Sequence, residues 1–462
     1  MYKKVDEADI AFLRELLGER YVSRDEVDLV TNANDAYVSG FSLPEVVVWP
    51  GSTDEVSAIL RYATTNRIPV TVRAAGTSLV GSCVPQHGGI VMNVMRMNKV
   101  ISVNPEDMWV DVQPSIVYED LNRHLSVYGL FFPPDPGSAV SCTIGGMVAS
   151  NASGIMALKY GTTRDYVLSL TVVLPSGEVM RFGCNALKTS VGYDLVRLVV
   201  GSEGTLGVIT EATLRVKRLP RVRRLLVAHF RDYENALDSI TDIRSEGLEP
   251  AAVEFLDRRT VALISEHLGL QVKDDASMIV IEFHGFSDQG VQIEVREAVK
   301  IIEKNGCDDH VVTSSESERM AIWRARKGAY PAILRECRSP VTGDVIVPLS
   351  KLKETIRYIY DLSERYSVEV AVFGHLGDGN IHANWLSDRS KKDHWERANS
   401  ANKELVKYAI TVGGAASAEH GVGVEKKEFM ELQHGPALSY MRALKRLFDP
   451  ANILNPGIMI DV

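Results

Sequence analysis

Cysteine is scarce in this 462-residue sequence, and its distribution excludes cofactor sites built on thiolates. The five cysteines are scattered, odd in number and form no CxxC pair: Cys83, Cys142, Cys184, Cys307 and Cys337. This pattern suits a reducing compartment and excludes a zinc or iron–sulfur site made of clustered cysteines. We therefore expect a cytoplasmic protein.

Long apolar runs and an excess of positive charge are also lacking. No stretch approaches the roughly 18 apolar residues that a membrane helix needs. The N-terminal MYKKVDEADIAFLRELLGER lacks the uninterrupted apolar core of a signal peptide. The 60 acidic residues outnumber the 51 lysines and arginines, which gives a net charge of −9. We expect no transmembrane segment and no nucleic-acid partner, and any inner-membrane association would be peripheral, through another protein.

The pattern along the chain predicts two domains and a returning tail. From residue 45 to residue 220, short β-rich runs are broken by glycine. After Pro220 the strands are separated by long helical segments, which is typical of an α+β domain. We assign residues 1–220 to the first domain, 221–412 to the second, and 413–462 to a C-terminal segment that returns to the first.

Local patterns also predict individual elements. A Ser-Thr-Asp cap signal opens a helix in STDEVSAILRYATTN, and Pro-Ser-Gly marks the turn of a hairpin in SLTVVLPSGEVMRFG. Further helices are expected in YENALDSITDIRSEG, over 314–334 with a Ser315–Glu318 cap, and in the tail over 425–449. The predicted strands are VVVWP, IPVTVRAAG, GGIVMNV, MWVDVQPS, RLLVAHF, MIVIEFHG, VEVAVFG and IHANW.

Three glycine-rich loops stand out in the first half of the chain: RAAGTSLVG, PPDPGSAVSCTIGGMVASNASG and GSEGTLGVIT. None fits the GxGxxG fingerprint of a dinucleotide fold or a Walker A loop. Any one of them could be ordinary turn chemistry. Together they indicate a large ligand whose anionic part is bound by backbone N–H groups.

A second candidate site lies around FGHLGDGNIHANW, where two histidines bracket a glycine-rich corner. Side chains alternate along a strand, so His382 and Asn384 face the same way, and His375 lies at the lip of the corner. Further on, SAEHGVG offers Glu419 and His420. Two imidazoles and a carboxylate suit Zn²⁺, Mn²⁺ or Fe²⁺. The alternative is a hairpin whose histidines only hydrogen-bond locally.

The order PVTVRAAGTSLVG, FFPPDPGSAVSCTIGGMVASNASG, GSEGTLGVITEATL resembles the FAD-binding domain of the vanillyl-alcohol-oxidase superfamily, also called PCMH-type. Within it, the chain is most similar to the FAD-linked D-2-hydroxy acid dehydrogenases: the glycolate oxidase flavoprotein subunit, D-lactate dehydrogenases and D-2-hydroxyglutarate dehydrogenase. The resemblance runs from about residue 45 to NPG at 455–457. It implies an α+β fold, in which a PCMH-type FAD-binding domain is followed by an α+β substrate (cap) domain built on an antiparallel sheet.

The same resemblance implies which residues hold the cofactor. The first loop lacks the histidine to which some relatives attach flavin covalently, so we expect non-covalent FAD. The implied FAD contacts are Arg73, Gly76, Thr77, Ser78, Leu79, Gly81, Pro134, Asp135, Ser141, Thr143, Gly145, Gly146, Ser150, Asn151, Gly154, Gly204, Ile209 and Asn455.

The resemblance implies catalytic roles as well. His375, His382 and Glu419 match the metal ligands, with zinc preferred over manganese or iron, and His420 matches the catalytic base. Asn384 matches a substrate contact. Arg326 is the preferred clamp for the substrate carboxylate, and Lys327 is a weaker candidate. Relatives that bind a second carboxylate have a lysine at the position of Thr342, which favours lactate or glycolate over a dicarboxylate. Trp323, Trp385 and Tyr193 would line the pocket or, as we prefer, pack in the core.

The predicted activity is FAD-dependent oxidation of a D-2-hydroxy acid to the 2-oxo acid, with hydride transfer to flavin N5. Electrons would pass to a redox partner protein (electron-transfer flavoprotein or an iron–sulfur subunit) or to a quinone, and we expect a homodimer. Three alternatives remain: a flavin alcohol or sugar oxidase on the same fold, a metallohydrolase using His375, His382 and Glu419, and a non-catalytic FAD-binding electron-transfer subunit.

Overall fold

The structure is a computed structural model that describes residues 2–268, 275–313 and 315–462. Its contacts divide the chain into two compact units. Unit 1 comprises Met1–Ser153, Thr162–Leu219 and Glu419–Val462, and unit 2 comprises Gly154–Gly161 and Pro220–Ala418. Unit 1 gives way to unit 2 after Leu219, next to the expected boundary at 220. Unit 2 ends at Ala418, which is beyond the expected end of the second domain at 412. Sequence reasoning did not expect residues 154–161 to leave the first domain.

The strands, in chain order, are β1 Val22–Ser23, β2 Val46–Val48, β3 Val70–Arg73, β4 Ile90–Asn93, β5 Val100–Asn104, β6 Trp109–Val112, β7 Leu130–Phe131, β8 Val167–Val173, β9 Val179–Gly183, β10 Val208–Arg215, β11 Lys217–Arg218, β12 Val222–Phe230, β13 Ala252–Leu256, β14 Ser277–Gly285, β15 Asp309–Val312, β16 Val341–Ile346, β17 Val370–Gly374 and β18 Asn380–Trp385.

The α-helices are α1 Glu7–Leu17, α2 Glu26–Thr31, α3 Thr53–Asn66, α4 Tyr118–Ser126, α5 Ile144–Ser150, α6 Ala157–Tyr160, α7 Leu195–Val199, α8 Tyr233–Ser245, α9 Arg258–Leu268, α10 Asp288–Lys304, α11 Glu316–Lys327, α12 Ala329–Glu336, α13 Leu352–Tyr366, α14 Lys392–Thr411, α15 Met430–His434 and α16 Leu438–Phe448. Short 3₁₀ turns cover Glu19–Tyr21, Thr163–Asp165, Leu349–Lys351, Lys427–Phe429 and Gly435–Ala437.

Unit 1 is built on two main sheets. The first has the strand order β1-β2-β4-β3, in which β4 pairs in parallel with both β2 and β3. The second is antiparallel with the order β5-β6-β10-β8-β9, and β7 and β11 form a separate pair. The tail joins the first sheet, because Leu454 forms a parallel bridge with Val70.

Helix α3 shows how the local sequence produces one of these elements. The Ser52 hydroxyl accepts a hydrogen bond from the backbone N–H of Glu55 at 3.2 Å, as its cap signal predicted. The buried face of α3 includes Val56, Ile59 and Leu60, which pack in the core of the first sheet. Each such side chain contributes roughly 1.5–3 kcal/mol when fully buried. The predicted hairpin is confirmed too, as β8 and β9 with Gly177 in their turn at φ +86°.

Unit 2 is built on one seven-stranded sheet, with the order β15-β12-β14-β13-β17-β18-β16 and every neighbouring pair antiparallel. The strands predicted from RLLVAHF, MIVIEFHG, VEVAVFG and IHANW are confirmed as β12, β14, β17 and β18. Helices α9, α11 and α12 supply residues to the hydrophobic cluster on one face of this sheet.

Two predicted helices are interrupted. The Ser315 cap is confirmed, with its hydroxyl accepting from the N–H of Glu318 at 3.3 Å, but residue 314 lies outside the described residues. The helix expected to run to 334 ends at Lys327 and restarts at Ala329, because Pro331 has no N–H to continue the hydrogen-bond ladder. The tail helix breaks in the same way at Gly435 and Pro436, where Gly435 has φ +50°. None of the helices in the described part of the chain is long and apolar enough to span a bilayer.

Candidate active site

One face of the unit 2 sheet carries two of the predicted catalytic and metal-binding residues, His382 and Asn384. Residues that pair across antiparallel strands point to the same side of a sheet. His382 of β18 pairs with Phe373 of β17 and with Asp344 of β16, so these three side chains share a face. Asn384, two residues further along β18, lies on that face as well. All four are buried, so the face is a polar site enclosed by protein.

The glycine corner after β17 brings the two histidines together. The N–H groups of Asp378 and Asn380 donate to the His375 carbonyl at 3.1 and 3.3 Å. Gly379 is required here, because its φ is +89° and an added Cβ would lie 2.1 Å from the Val347 carbonyl oxygen. The rings of His375 and His382 meet edge to face with centroids 5.3 Å apart. Asp378 caps the turn by accepting from the N–H of Asn380 at 3.2 Å.

A buried carboxylate that sequence reasoning missed, Glu254 of β13, holds His375. Its Oε1 lies 2.6 Å from Nδ1 of His375. Its Oε2 accepts from Nε of Arg326 at 2.6 Å and lies 2.5 Å from Nη2. Burial raises the pKa of the Glu254 carboxyl, but the charges of Arg326 and His375 outweigh it and hold that pKa below its ordinary value. Glu254 is therefore an anion that orients both partners.

Arg326 reaches the same face from α11. It is buried, and its guanidinium carbon lies 4.6 Å from the centroid of the Phe373 ring. Contact with an aromatic face stabilises a cation and fixes the plane of the guanidinium. The predicted carboxylate clamp is thus a fixed group in unit 2, although part of its donor capacity is already used by Glu254.

A second carboxylate, Asp344, anchors the start of the SAEHGVG segment. Its Oδ2 accepts from the Ser417 hydroxyl at 2.8 Å and from the Ala418 N–H at 3.1 Å. Its Oδ1 accepts from the side-chain amide of Asn380 at 2.9 Å and lies 3.6 Å from Nδ1 of His382. Because Glu419 and His420 follow Ala418 directly in the chain, Asp344 fixes the point from which they begin.

Glu419 and His420 themselves belong to unit 1. The Ser153 hydroxyl donates to Oε2 of Glu419 at 3.3 Å, and Nε2 of His420 lies 3.5 Å from Oε1 of Glu419. The side chain of Glu419 is 8% exposed and that of His420 is 19% exposed. His420 thus keeps an open side, which a group that exchanges a proton with a ligand needs.

The first and third glycine loops are joined in unit 1 by the tail. Oδ1 of Asn455 accepts from the N–H of Val72 at 2.8 Å, and its Nδ2 donates to the carbonyl of Glu203 at 2.7 Å. The buried ammonium of Lys445 donates to the carbonyls of Thr205 and Leu454 at 2.9 and 2.8 Å. The tail therefore sets the spacing of these loops, and the Asn455 amide is used for that purpose.

The second loop offers backbone to a ligand, because its side chains bond locally. The Thr143 hydroxyl accepts from the N–H of Gly146 at 3.4 Å as the cap of α5, and Ser150 donates to the Gly146 carbonyl at 3.1 Å. Oδ1 of Asn151 accepts from the hydroxyl of Thr162. Gly146 is exposed, and an added Cβ would lie 3.3 Å from the Thr143 hydroxyl oxygen, with open space around it otherwise among the described residues outside its own helix backbone and chain neighbours. This open backbone fits a large ligand such as FAD.

The remaining predicted cofactor residues divide between surface and interior. Ser141 is exposed, whereas Pro134 and Ile209 are buried. Gly76, Gly81 and Gly204 all have positive φ, as tight loops require. Partly exposed residues complete this set: Arg73, Thr77, Ser78, Leu79, Asp135 and Gly145. Gly154 is assigned to unit 2, outside the unit that holds the three loops.

Two of the three aromatic residues predicted to pack in the core are buried, and the third is exposed. Trp385 is fully buried and Trp323 is 6% exposed, so both core assignments are confirmed. Tyr193 is 97% exposed, and its assignment is wrong. The reason is local: Asp194 is the N-cap of α7, and Tyr193 precedes it in a loop on the surface.

Two stretches of the chain match known family descriptions. Residues 44–183 match "FAD binding domain", and residues 219–459 match "FAD linked oxidases, C-terminal domain". The chain therefore belongs to the FAD-linked oxidase family, and it is an FAD-dependent oxidoreductase. The solved structure of p-cresol methylhydroxylase has the same fold, with a TM-score of 0.84 over 100% of this chain and 99% of that one at 16% identity. The expected α+β fold with a PCMH-type FAD-binding domain is confirmed.

Particular relatives are more similar in sequence. The glycolate oxidase subunit GlcD of Bacillus subtilis is 36% identical over 90% of this chain and 89% of its own length. The D-lactate dehydrogenase of Anaerostipes hadrus is 34% identical over 99% of this chain and 98% of its own length. The predicted resemblance to glycolate oxidase subunits and D-lactate dehydrogenases is confirmed.

Proposed function

We propose that this flavoprotein oxidises a D-2-hydroxy acid, with lactate or glycolate as the first candidates, to the 2-oxo acid. The observation that carries the proposal is the buried face of the unit 2 sheet, where Glu254 holds both Arg326 and His375 beside His382. A 2-hydroxy acid carries a carboxylate next to a hydroxyl, and this face offers a guanidinium and two imidazoles. The names of both relatives above agree with such a substrate.

Arg326 binds the substrate carboxylate in this proposal. A guanidinium has five N–H donors, and Glu254 engages one edge of it. The remaining donors can form charge-assisted hydrogen bonds with a second carboxylate. Asn384 has a side-chain oxygen that is buried and has no hydrogen-bond partner among the described residues, and it contacts the substrate hydroxyl.

The substrate hydroxyl loses its proton to His420, which accepts it as a neutral imidazole. His375, His382 and Glu419 would hold a divalent metal, zinc in the first instance with manganese or iron as alternatives. The donor set fits such an ion, because Nδ1 of His375 is held by a carboxylate in the way that metal-bound histidines usually are. Such an ion would supply Lewis acidity that lowers the pKa of the substrate hydroxyl, and an imidazole could then remove the proton near neutral pH.

The three glycine loops would hold FAD without a covalent bond, and Asn455 would set the spacing of the first and third of them. FAD would supply the acceptor for the hydride that leaves C2 of the substrate, a role that no side chain can fill. The loop residues bind and orient it through backbone N–H groups, with Gly76, Gly81 and Gly204 in the conformation that tight loops need.

Thr342 supports a monocarboxylate substrate. It lies opposite Asn384 in the β16–β18 pair and carries a hydroxyl where a dicarboxylate would need a cation. Its buried hydroxyl oxygen has no hydrogen-bond partner among the described residues. A second carboxylate placed here would lose its hydration without gaining an opposite charge, which is costly.

Electrons leave to a second protein or to a quinone in this proposal. The five cysteines form no CxxC pair from which a further redox centre could be built. An electron-transfer flavoprotein or an iron–sulfur subunit would serve, and the name of one relative describes a subunit.

The test is anaerobic absorbance of the purified FAD-loaded protein before and after addition of D-lactate, L-lactate or glycolate. We expect the flavin band to bleach with D-lactate or glycolate, more slowly with L-lactate, and no longer after a chelator has removed metal. A flavin that no 2-hydroxy acid bleaches would overturn the proposal and favour an alcohol or sugar oxidase. Bleaching that survives complete metal removal would overturn the metal's role alone.

A further inference from the structure

Glu203, in the third glycine loop, contacts several segments of unit 1: the second loop, the tail and the chain just beyond His420. It is 4% exposed and carries a carboxylate, yet nothing in the proposed mechanism needs it. Its own N–H donates to the carbonyl of Ala149 in the second loop at 2.8 Å, and its carbonyl accepts from Asn455 of the tail at 2.7 Å. Its backbone is left-handed, with φ +51°, and such conformations in non-glycine residues concentrate at functional sites.

The carboxylate of Glu203 binds the chain just beyond His420. Oε1 accepts from the N–H of Val422 at 2.6 Å, and Oε2 accepts from the N–H of Gly423 at 2.8 Å. Oε2 also accepts from the hydroxyl of Ser82, the residue directly after the first loop, at 2.8 Å. The two carboxylate oxygens therefore accept hydrogen bonds from three donors. A glutamine side chain at this position could not do the same, because its NH₂ group is a donor and would face another donor.

The residue after His420 is shaped by the same contact. Gly421 has φ +87°, and an added Cβ would lie 2.9 Å from Oε1 of Glu203. The segment is also fixed on its far side, because the N–H of Val424 donates to the Val80 carbonyl at 2.9 Å. Residues 421–424 are thus held at both ends by the first and third glycine loops, and the position of His420 follows from them.

We propose that Glu203 is the positioning residue for His420: its carboxylate fixes the backbone of residues 421–423 so that the imidazole is aligned with the hydroxyl proton that it removes. The inference rests on the proposed function, because it assigns a purpose to His420. Burial raises the pKa of the Glu203 carboxyl, while its hydrogen bonds from Val422 and Ser82 act in the opposite direction.

The experiment compares the full-length, FAD-loaded protein with Glu203→Gln, Glu203→Asp and Ser82→Ala variants. Glu178→Gln is the matched control, because Glu178 is exposed in the β8–β9 turn and its carboxylate accepts a hydrogen bond from the Ser176 hydroxyl next to that turn. FAD per chain, amide hydrogen exchange of the peptide covering 419–426, and anaerobic flavin reduction by D-lactate in a stopped-flow instrument are measured for each protein.

For Glu203→Gln we expect unchanged FAD content and about tenfold faster exchange in 419–426, since a hydrogen-bonded amide loses its acceptor. We expect the limiting rate of flavin reduction to fall about 100-fold, the cost of a misplaced catalytic group, with the substrate dissociation constant unchanged. Glu203→Asp, which keeps the charge, should recover part of the rate. Ser82→Ala removes one of the three donors to Glu203 and should lower the limiting rate of flavin reduction by less. This variant still tests the proposal if Glu203→Gln fails to fold.

Glu203→Gln with wild-type exchange and wild-type reduction rate would overturn the proposal, as would a rate loss that only tracks lost FAD. A wild-type flavin that no 2-hydroxy acid bleaches would overturn the proposed function and, with it, the purpose assigned to Glu203. These failures are distinct, because the second is read from the wild type alone.

Discussion

Glu254 and His375 form a buried pair, with Oε1 of the carboxylate 2.6 Å from Nδ1 of the imidazole. The two residues lie 121 positions apart in the sequence. A carboxylate on Nδ1 fixes the tautomer that places the lone pair on Nε2, and it makes that nitrogen a better electron donor. The pair therefore supports the proposal that His375 is a metal ligand.

Glu254→Gln should weaken metal binding by about 10–100-fold, the range found when such supporting groups are removed. FAD content should not change, because Glu254 lies in unit 2 and the glycine loops lie in unit 1. Metal per chain is measured after dialysis against a graded chelator series. Glu282→Gln is the control, since Glu282 is equally buried and bonds an arginine and a histidine, Arg319 and His284, that are not predicted ligands. Equal metal loss in both variants would contradict the prediction.

Arg326→Lys should lower kcat/KM for the hydroxy acid by about 10–100-fold, mainly through KM. A lysine keeps the positive charge beside Glu254 but loses the planar donor set that binds a carboxylate through two bonds. Steady-state kinetics with an artificial electron acceptor give both constants. Arg324→Lys, an exposed change on the same helix, should behave as wild type. An unchanged KM for Arg326→Lys would remove Arg326 from the substrate site.

Asp257→Asn should change how the stability of unit 2 depends on pH. Burial raises the pKa of the Asp257 carboxyl to about 6, so the protonated form is favoured in the folded state. Its contribution to stability is present below the ordinary pKa and is lost as the pH rises through about 6. As the pH rises from 4 to 7, the free energy of unfolding of the variant should increase by about 3 kcal/mol relative to that of the wild type. Denaturant unfolding at several pH values measures it, with the exposed Asp361→Asn as control. If the free energies of unfolding of Asp257→Asn and wild type differ by the same amount at every pH, the prediction is contradicted.

Lys445→Met should destabilise unit 1 and weaken FAD retention. The buried ammonium bonds Asp449 at 2.6 Å as well as two carbonyls, so its removal leaves the buried Asp449 carboxylate with hydrogen bonds from the N–H groups of Ile453 and Leu454 but without its cation. We expect a loss of about 3–5 kcal/mol in the free energy of unfolding. Thermal unfolding and FAD content after gel filtration are the measurements. Arg446→Met, its exposed neighbour, should change neither. If Lys445→Met retains all of its FAD, the contacts of Lys445 with the tail are not needed for cofactor binding.

Local sequence predicted the elements whose cause is local. Ser52 before Thr-Asp-Glu predicted the start of α3, and Pro-Ser-Gly predicted the β8–β9 turn, because caps and turns depend on residues within four positions of one another. Sequence reasoning missed the effect of Pro331 on the helix after Ser315, although the proline was visible and its missing N–H is a local property.

The buried carboxylates show what local reasoning could not reach. Glu254, Glu282 and Asp344 each stand alone within an apolar strand, a signal that a search for isolated acids in strands would have found. Their partners could not have been named, because these lie on other elements far along the chain, 72 positions away for Arg326. Glu203 was not predicted to be a functional residue, because it lies in a glycine loop and its hydrogen-bond partners are far along the chain.

The sequence by itself determined the family, the three glycine loops and the two histidines of the corner, because each is a contiguous motif whose residue types carry its chemistry. Only the tertiary structure decided which carboxylate orients which base. Glu254 meets His375 through the packing of β13 against β17, and Glu203 meets the segment after His420 through the tail and the loops. A hydrogen bond is effective over about 3 Å, so its partners are set by packing and not by position in the chain.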